Sequence, residues 1–241
     1  MRIIEKIRRK NENRHAEPAV SIAFFGDSIT EGCFDIYYDE NGVLRTYVDC
    51  ERVYHTVLKN MLGKLYPECP VNIINAGISG ANADHSRKRL ERDVIMHRPD
   101  MCVVSFGSND MQNGDEGLES FKASLKEIVT RLQAEGIEVL VLSAPMNCTK
   151  VTYQLKDENL RGIAARVADK VNSGVLKRYA AASGEVAAEC GAEFVDAYSR
   201  WERMYLAGVN TDALLENHIN HPNGDMHKVT AYWILEKMFE G

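Results

Sequence analysis

The chain lacks several features that would mark other classes of protein. No run approaches the roughly 20 apolar residues needed to span a bilayer, so stable membrane insertion is not expected. There is no Cys-x-x-Cys pair; the six cysteines, Cys33, Cys50, Cys69, Cys102, Cys148 and Cys190, are scattered. That spacing suggests neither a zinc site nor a thioredoxin-like motif. A basic excess is also missing, since 29 Lys and Arg face 35 Asp and Glu for a net charge of −6. A general nucleic-acid binder carries the opposite footprint, so no nucleic-acid partner is expected. No apolar core follows the basic residues Arg2, Lys6, Arg8, Arg9, Lys10 and Arg14, so a signal peptide is not expected. Reduced thiols and a cytoplasmic location are then the default expectation. No internal repeat or low-complexity linker interrupts the chain.

What is present is a core-forming pattern. Hydrophobic residues make up 45% of the 241 positions, enough for one full α/β core. The basic residues 1–19 read as an N-terminal extension. It is either a membrane-surface helix or, as preferred here, a solvated helix that tucks Ile3, Ile4 and Ile7 against a single domain, 20–241. Apolar runs at 20–25, 71–74, 101–106, 137–142 and 192–196 read as buried strands. Helical segments are expected over 51–65, 83–97, 121–136, 158–189 and 229–239, with an irregular stretch from 29 to about 47. Five near-continuous apolar strands alternating with helices predict a parallel sheet covered on both faces, a three-layer α/β/α sandwich.

Three of those strands end in small polar clusters. Gly26-Asp27-Ser28-Ile29-Thr30 follows the first, Asn75-Ala76-Gly77-Ile78-Ser79-Gly80 the second and Gly107-Ser108-Asn109-Asp110 the third. Parallel strands bring all three ends to one edge, where ligands bind in open α/β sheets. A serine, a glycine N–H and an asparagine amide at one edge are the inventory of acyl transfer: a nucleophile with donors aimed at a developing oxyanion. As isolated residues, Gly77 and Asn109 are better explained by ordinary turns. The base for Ser28 must come from elsewhere, and His218-Ile219-Asn220-His221-Pro222-Asn223 offers two histidines. Shared helical spacing would suit a metal, but the residue before a proline is pushed out of helical geometry. A loop histidine reaching back to Ser28 fits better, and no metal or cofactor is expected.

Together these segments resemble the SGNH-hydrolase superfamily, the GDSL-type esterases and lipases. The matching pieces are Gly26-Asp27-Ser28-Ile29-Thr30, the segment Asn75 to Gly80, Arg98-Pro99-Asp100 leading into Phe106 to Asp110, and His221-Pro222-Asn223. The resemblance implies a flavodoxin-like sandwich and metal-free ester hydrolysis of a small-molecule substrate. It further implies Ser28 as nucleophile, His221 as base and later acid, and an oxyanion hole from the N–H groups of Ser28 and Gly77 with the amide of Asn109.

One position departs from the family pattern. An aspartate usually stands three residues before the histidine and holds its tautomer; here that residue is His218. A main-chain carbonyl, Glu216 or Asp212 is the expected substitute. Replacing the carboxylate by an amide in a well-studied triad costs about 10⁴ in rate, so the identity of this group matters. Phe34, Tyr37, Tyr38 and Tyr47 just past the nucleophile either stack on substrate or pack their loop, and Trp201, Met204 and Tyr205 are expected to form the opposite wall. A short-chain or acetyl ester, on a carbohydrate, is the expected substrate. Lysophospholipase or acyl-CoA thioesterase activity, and a non-catalytic carbohydrate-binding role, are the alternatives.

Overall fold

In the computed structural model, which describes residues 1–240, the five expected core strands are present. They are β1 (Val20–Gly26), β4 (Val71–Gly77), β5 (Met101–Ser105), β6 (Glu138–Leu142) and β7 (Glu193–Val195). All pair in parallel in the order β4-β1-β5-β6-β7. The strand order reverses beside β1, so its junction with β5 is the topological switch point, where crossovers leave to opposite faces and open a crevice.

The helices cover both faces. They are α1 (Arg2–Glu12), α2 (Ser28–Glu31), α3 (Tyr54–Leu65), α4 (Ala83–Ser86), α5 (Leu90–Asp93), α6 (Leu118–Ala134), α7 (Glu158–Asn172), α8 (Val175–Cys190), α9 (Ala197–Leu206) and α10 (Gly224–Phe239). Alternate residues of the strands face opposite ways. Ala23 and Phe25 of β1 therefore pack with α6, α7 and α8, whereas Ile22 and Phe24 pack with α1, α3 and α10. Within α1, Ile3 and Ile7 are buried and Ile4 is half-buried, so its apolar stripe closes the second layer.

Three expectations need correction, and one helix is added. Residues 33–48 are not irregular: β2 (Cys33–Tyr38) and β3 (Leu44–Val48) form an antiparallel hairpin outside the main sheet. The segment 158–189 is two helices rather than one, because Gly174 adopts φ 76° and ends the first. The segment 83–97 is two short helices and a 3-10 turn. Helix α9 was unexpected, its start fixed by Asp196 accepting from the Ser199 N–H at 2.9 Å.

Candidate active site

Ser28 is the first residue of α2, immediately beyond β1. The turn is sharp: a Cβ on Gly26 would lie 2.2 Å from Thr30 Oγ1 and 2.7 Å from the Ser105 carbonyl. Only glycine fits there. Asp27 caps α2 by accepting from the Ile29 N–H at 3.0 Å. The Ser28 hydroxyl is left facing the crevice, 2.8 Å from His221 Nε2.

His221 lies on a loop closed by an antiparallel bridge between Leu215 and Pro222, with the Glu216 N–H donating to the His221 carbonyl at 2.8 Å. Inside this loop Asn217 Oδ1 accepts from three main-chain N–H groups, those of Ile219, Asn220 and His221, at 3.0, 3.0 and 2.9 Å. That pins the amide, so its Nδ2 is the atom 3.0 Å from His221 Nδ1. Nδ1 must then accept, and the neutral ring carries its proton on Nε2, directed at Ser28 Oγ. Cys33 Sγ lies 3.7 Å from the same Nδ1, with its own proton directed at the Asp35 carbonyl, 3.3 Å away. Burial pushes His221 down to about 4 and the Cys33 thiol up to about 12, so both are neutral at pH 7.

Among the described residues no main-chain carbonyl, and neither Glu216, Asp212 nor His218, meets the imidazole, whose Nδ1 faces only Asn217 and Cys33. His218, held at φ 57°, is half-buried and makes no side-chain hydrogen bond among the described residues. Glu216 is exposed and accepts from Arg52 Nη1 at 3.4 Å. Asp212 is buried, but its carboxylate is taken by the N–H and hydroxyl of Thr149 at 2.8 and 3.0 Å. Asn217, four residues before His221 rather than three, was not anticipated. Its signal in the sequence was the Asn at the head of a turn ending in His-Pro, a residue type that caps its own following backbone.

Gly77 also needs correction as an oxyanion donor. Its N–H donates to Asn75 Oδ1 at 3.0 Å, and it does not line the crevice. It is glycine because a Cβ would lie 2.2 Å from the Glu31 nitrogen, inside α2. Gly80, at φ 76°, lines the crevice instead, and its N–H has no intrachain acceptor among the described residues. Asn109 does line the crevice; its Nδ2 donates to the Ala81 carbonyl at 2.9 Å, which leaves one amide proton unused.

Two further residues hold these ends together. Asp110 accepts from the Ala83 and Gly107 N–H groups at 2.9 and 3.0 Å, joining the β4 and β5 loops. Arg89 donates to the carbonyls of Ala76 and Gly26 at 2.7 and 3.0 Å and lies over the Phe25 ring, 4.5 Å from its centroid.

The aromatic expectations mostly fail. Phe34 is fully buried, its ring 4.7 Å from His227 and beneath the Arg52 guanidinium. Trp201 is fully buried in the core. Tyr38 packs half-buried on the same core. Tyr37 and Tyr47 are exposed, and Tyr205 lines a separate depression with Lys150 and Asn172. The hairpin instead lends Ile36, Leu44 and Thr46 to the crevice, the opposite face from Tyr37 and Tyr47.

The crevice holds about 380 Å³, near the small end for ligand sites. A larger groove of about 510 Å³ lies between α1 and the loops carrying Arg98 and Glu135, and its lining has neither histidine nor serine. Among the described residues no three His, Cys, Asp or Glu side chains cluster as a metal would require. Among the described residues no helix is long and apolar enough to cross a membrane.

A model of the GDSL-like lipase/acylhydrolase family matches residues 24–229. An acetylxylan esterase from Geobacillus stearothermophilus is 28% identical over 127 residues, 48% of this chain and 56% of that protein. An isoamyl acetate-hydrolyzing esterase 1 homolog from Bos taurus is 26% identical over 232 residues, 90% of this chain and 81% of that protein. The first alignment thus spans little more than half of that relative, the second most of it. The crystal structure of a catalytic mutant of an acetylxylan esterase from Geobacillus stearothermophilus superposes with a TM-score of 0.67 at 20% identity. That superposition covers 92% of this chain and 96% of the other, which establishes the SGNH-type fold.

Proposed function

The chain belongs to the GDSL-like lipase/acylhydrolase family, whose relatives hydrolyse esters, and from that membership we propose that it is a metal-free serine esterase acting on short-chain or acetyl esters, carried on a carbohydrate. The observation that carries this reading is the 2.8 Å contact between Ser28 Oγ and His221 Nε2 at the switch point of the sheet. Ser28 Oγ attacks the ester carbonyl while its proton passes to Nε2. The tetrahedral oxyanion is met by the N–H groups of Ser28 and Gly80 and by the unused amide proton of Asn109. Nε2 then returns the proton to the departing alcohol as the C–O bond breaks. Water, losing a proton to Nε2, attacks the acyl-Ser28, and Nε2 returns that proton to Ser28 Oγ as the acyl–oxygen bond breaks and the acid leaves.

To act as base, the ring must carry its resting proton on Nδ1, where Asn217 presents a donor. Turning two donors toward each other costs about 1–3 kcal/mol, the usual cost of an unsatisfied buried group. Cys33 Sγ is the acceptor on that side. The reaction thus runs as a Ser-His dyad with an amide, not a carboxylate, behind the histidine.

Acetyl over long-chain esters is supported by the crevice volume of about 380 Å³ and by the acetyl esters in the names of the relatives. The non-catalytic reading draws on one observation, the donor facing Nδ1. Turnover of p-nitrophenyl acetate by wild type and its loss in Ser28→Ala separates the two; equal turnover in both would remove Ser28 from the chemistry.

A further inference from the structure

The crevice that holds Ser28 and His221 carries one fixed charge. Arg166, on α7, lines it with Ile163 and Val167, while no aspartate or glutamate contributes to the lining among the described residues. This is unusual for a chain in which acids outnumber bases, 35 against 29. The arginine is also uncommitted. Most arginines here are paired, as Arg87 is with Asp84 and Glu127 and Arg178 with Asp115. Arg166 makes no ion pair or hydrogen bond among the described residues. Its guanidinium lies back along α7 over Gly162, where an added Cβ would be 3.7 Å from Nη1.

A second lining residue, also polar, is buried. Asn147 lines the same crevice at 1% exposure and donates Nδ2 to Ser108 Oγ at 3.0 Å, yet its Oδ1 has no partner. A buried acceptor without a donor is destabilising unless water or a ligand supplies one.

We propose that Arg166 makes this crevice a site for an ester that carries a carboxylate, such as an acylated sugar acid. A guanidinium matches a carboxylate with two parallel N–H···O bonds. A single cation, with no second one in the lining, suits one negative charge better than a phosphate dianion.

This inference rests on the esterase reading above, and the test keeps the two apart. The probes are para-acetoxybenzoate and its neutral methyl ester, which share the acetyl group and differ in charge. For Arg166→Ala, the ratio of kcat/KM on the charged to the neutral ester should fall about two- to fivefold, the value of one exposed ion pair. Arg166→Glu should lower that ratio further, and Arg166→Lys should restore part of it. Rising salt should erode the wild-type preference. An unchanged ratio in Arg166→Ala, or a parallel loss on both esters, overturns the proposal. If wild type turns over neither ester, the esterase reading fails. Calorimetric binding of para-acetoxybenzoate then still decides: weaker binding to Arg166→Ala supports the carboxylate site, and equal or absent binding refutes it.

Discussion

Replacing Asn217 by aspartate should make this protein a faster esterase. In the wild type Oδ1 is saturated by three main-chain donors and Nδ2 faces His221 Nδ1 at 3.0 Å. An aspartate keeps the three loop bonds on one oxygen and turns the other, now an acceptor, toward Nδ1. Two effects follow. The donor-to-donor cost of about 1–3 kcal/mol disappears, which is roughly 5- to 150-fold in rate. The imidazolium formed during attack also gains a buried counter-charge, and exchanging a carboxylate for an amide at this position costs about 10⁴ in a well-studied triad. The geometry was not shaped around a carboxylate, and Asn220 Oδ1 must rotate away from it, so an increase of about 10²–10³ in kcat is expected. The pH profile should move as well. Burial lowers His221 to about 4; an adjacent carboxylate favours the charged form and raises that value, so the acid limb of kcat/KM should shift to higher pH. The assay is p-nitrophenyl acetate hydrolysis read at the isosbestic wavelength, with thermal melts to verify folding. A folded Asn217→Asp with kcat at or below wild type would refute the tautomer assignment. ¹⁵N shifts of labelled histidine give a second check, with wild-type His221 protonated on Nε2.

Other outcomes follow from the same contacts. Asn109→Ala should lower kcat by about 10²–10³ with little change in KM, because the oxyanion contact strengthens mainly in the transition state; a pure KM effect would make Asn109 a binding residue only. Trp201→Ala should cost about 3–5 kcal/mol of stability in denaturant melts, whereas Trp201→Phe should leave kcat near wild type, because the ring is fully buried rather than a substrate wall. A change of acyl-chain preference in Trp201→Phe would restore the wall. His227 is held near 3 by burial, below its unfolded value of about 6.5. The unfolded chain therefore binds that proton first, and stability is lost as pH falls through 6.5 toward the folded value. The stability gap between wild type and His227→Gln should thus shrink by about 3 kcal/mol from pH 7 to pH 4, and a constant gap would contradict it. Comparing the two proteins cancels the opposing effect of Asp27 and Asp110, whose burial raises them to about 7 and 6.

The strands and the fold class were legible because buried parallel strands are written as continuous apolar runs. Val20 to Phe25 and Met101 to Val104 are nearly or wholly buried along their length. Ser28 and Asn109 were legible for a related reason, since strand ends in a parallel sheet converge whatever the loops do. The hairpin from Cys33 to Val48 was not, because β3 is exposed throughout and carries no periodic apolar signal. Gly77 and Gly80 sit three residues apart in one segment, and only the direction of an N–H distinguishes them. Sequence spacing cannot supply that direction. Asn217 was not legible, because an asparagine cannot orient an imidazole by charge and meets it only through a cap formed once residues 215–222 close into a loop. Phe34 and Trp201 looked like site aromatics from their neighbours in sequence, yet large rings are as often core as surface, and packing against His227 and the sheet decided both.

The central claim is that Ser28 is activated by His221. Intact-mass analysis after brief exposure to a fluorophosphonate tests it most directly. Wild type should gain a single adduct, mapped by peptide digestion to Ser28, while folded Ser28→Ala gains none and His221→Ala labels far more slowly. Rapid labelling of Ser28→Ala, or wild-type labelling at any other residue, would contradict the account.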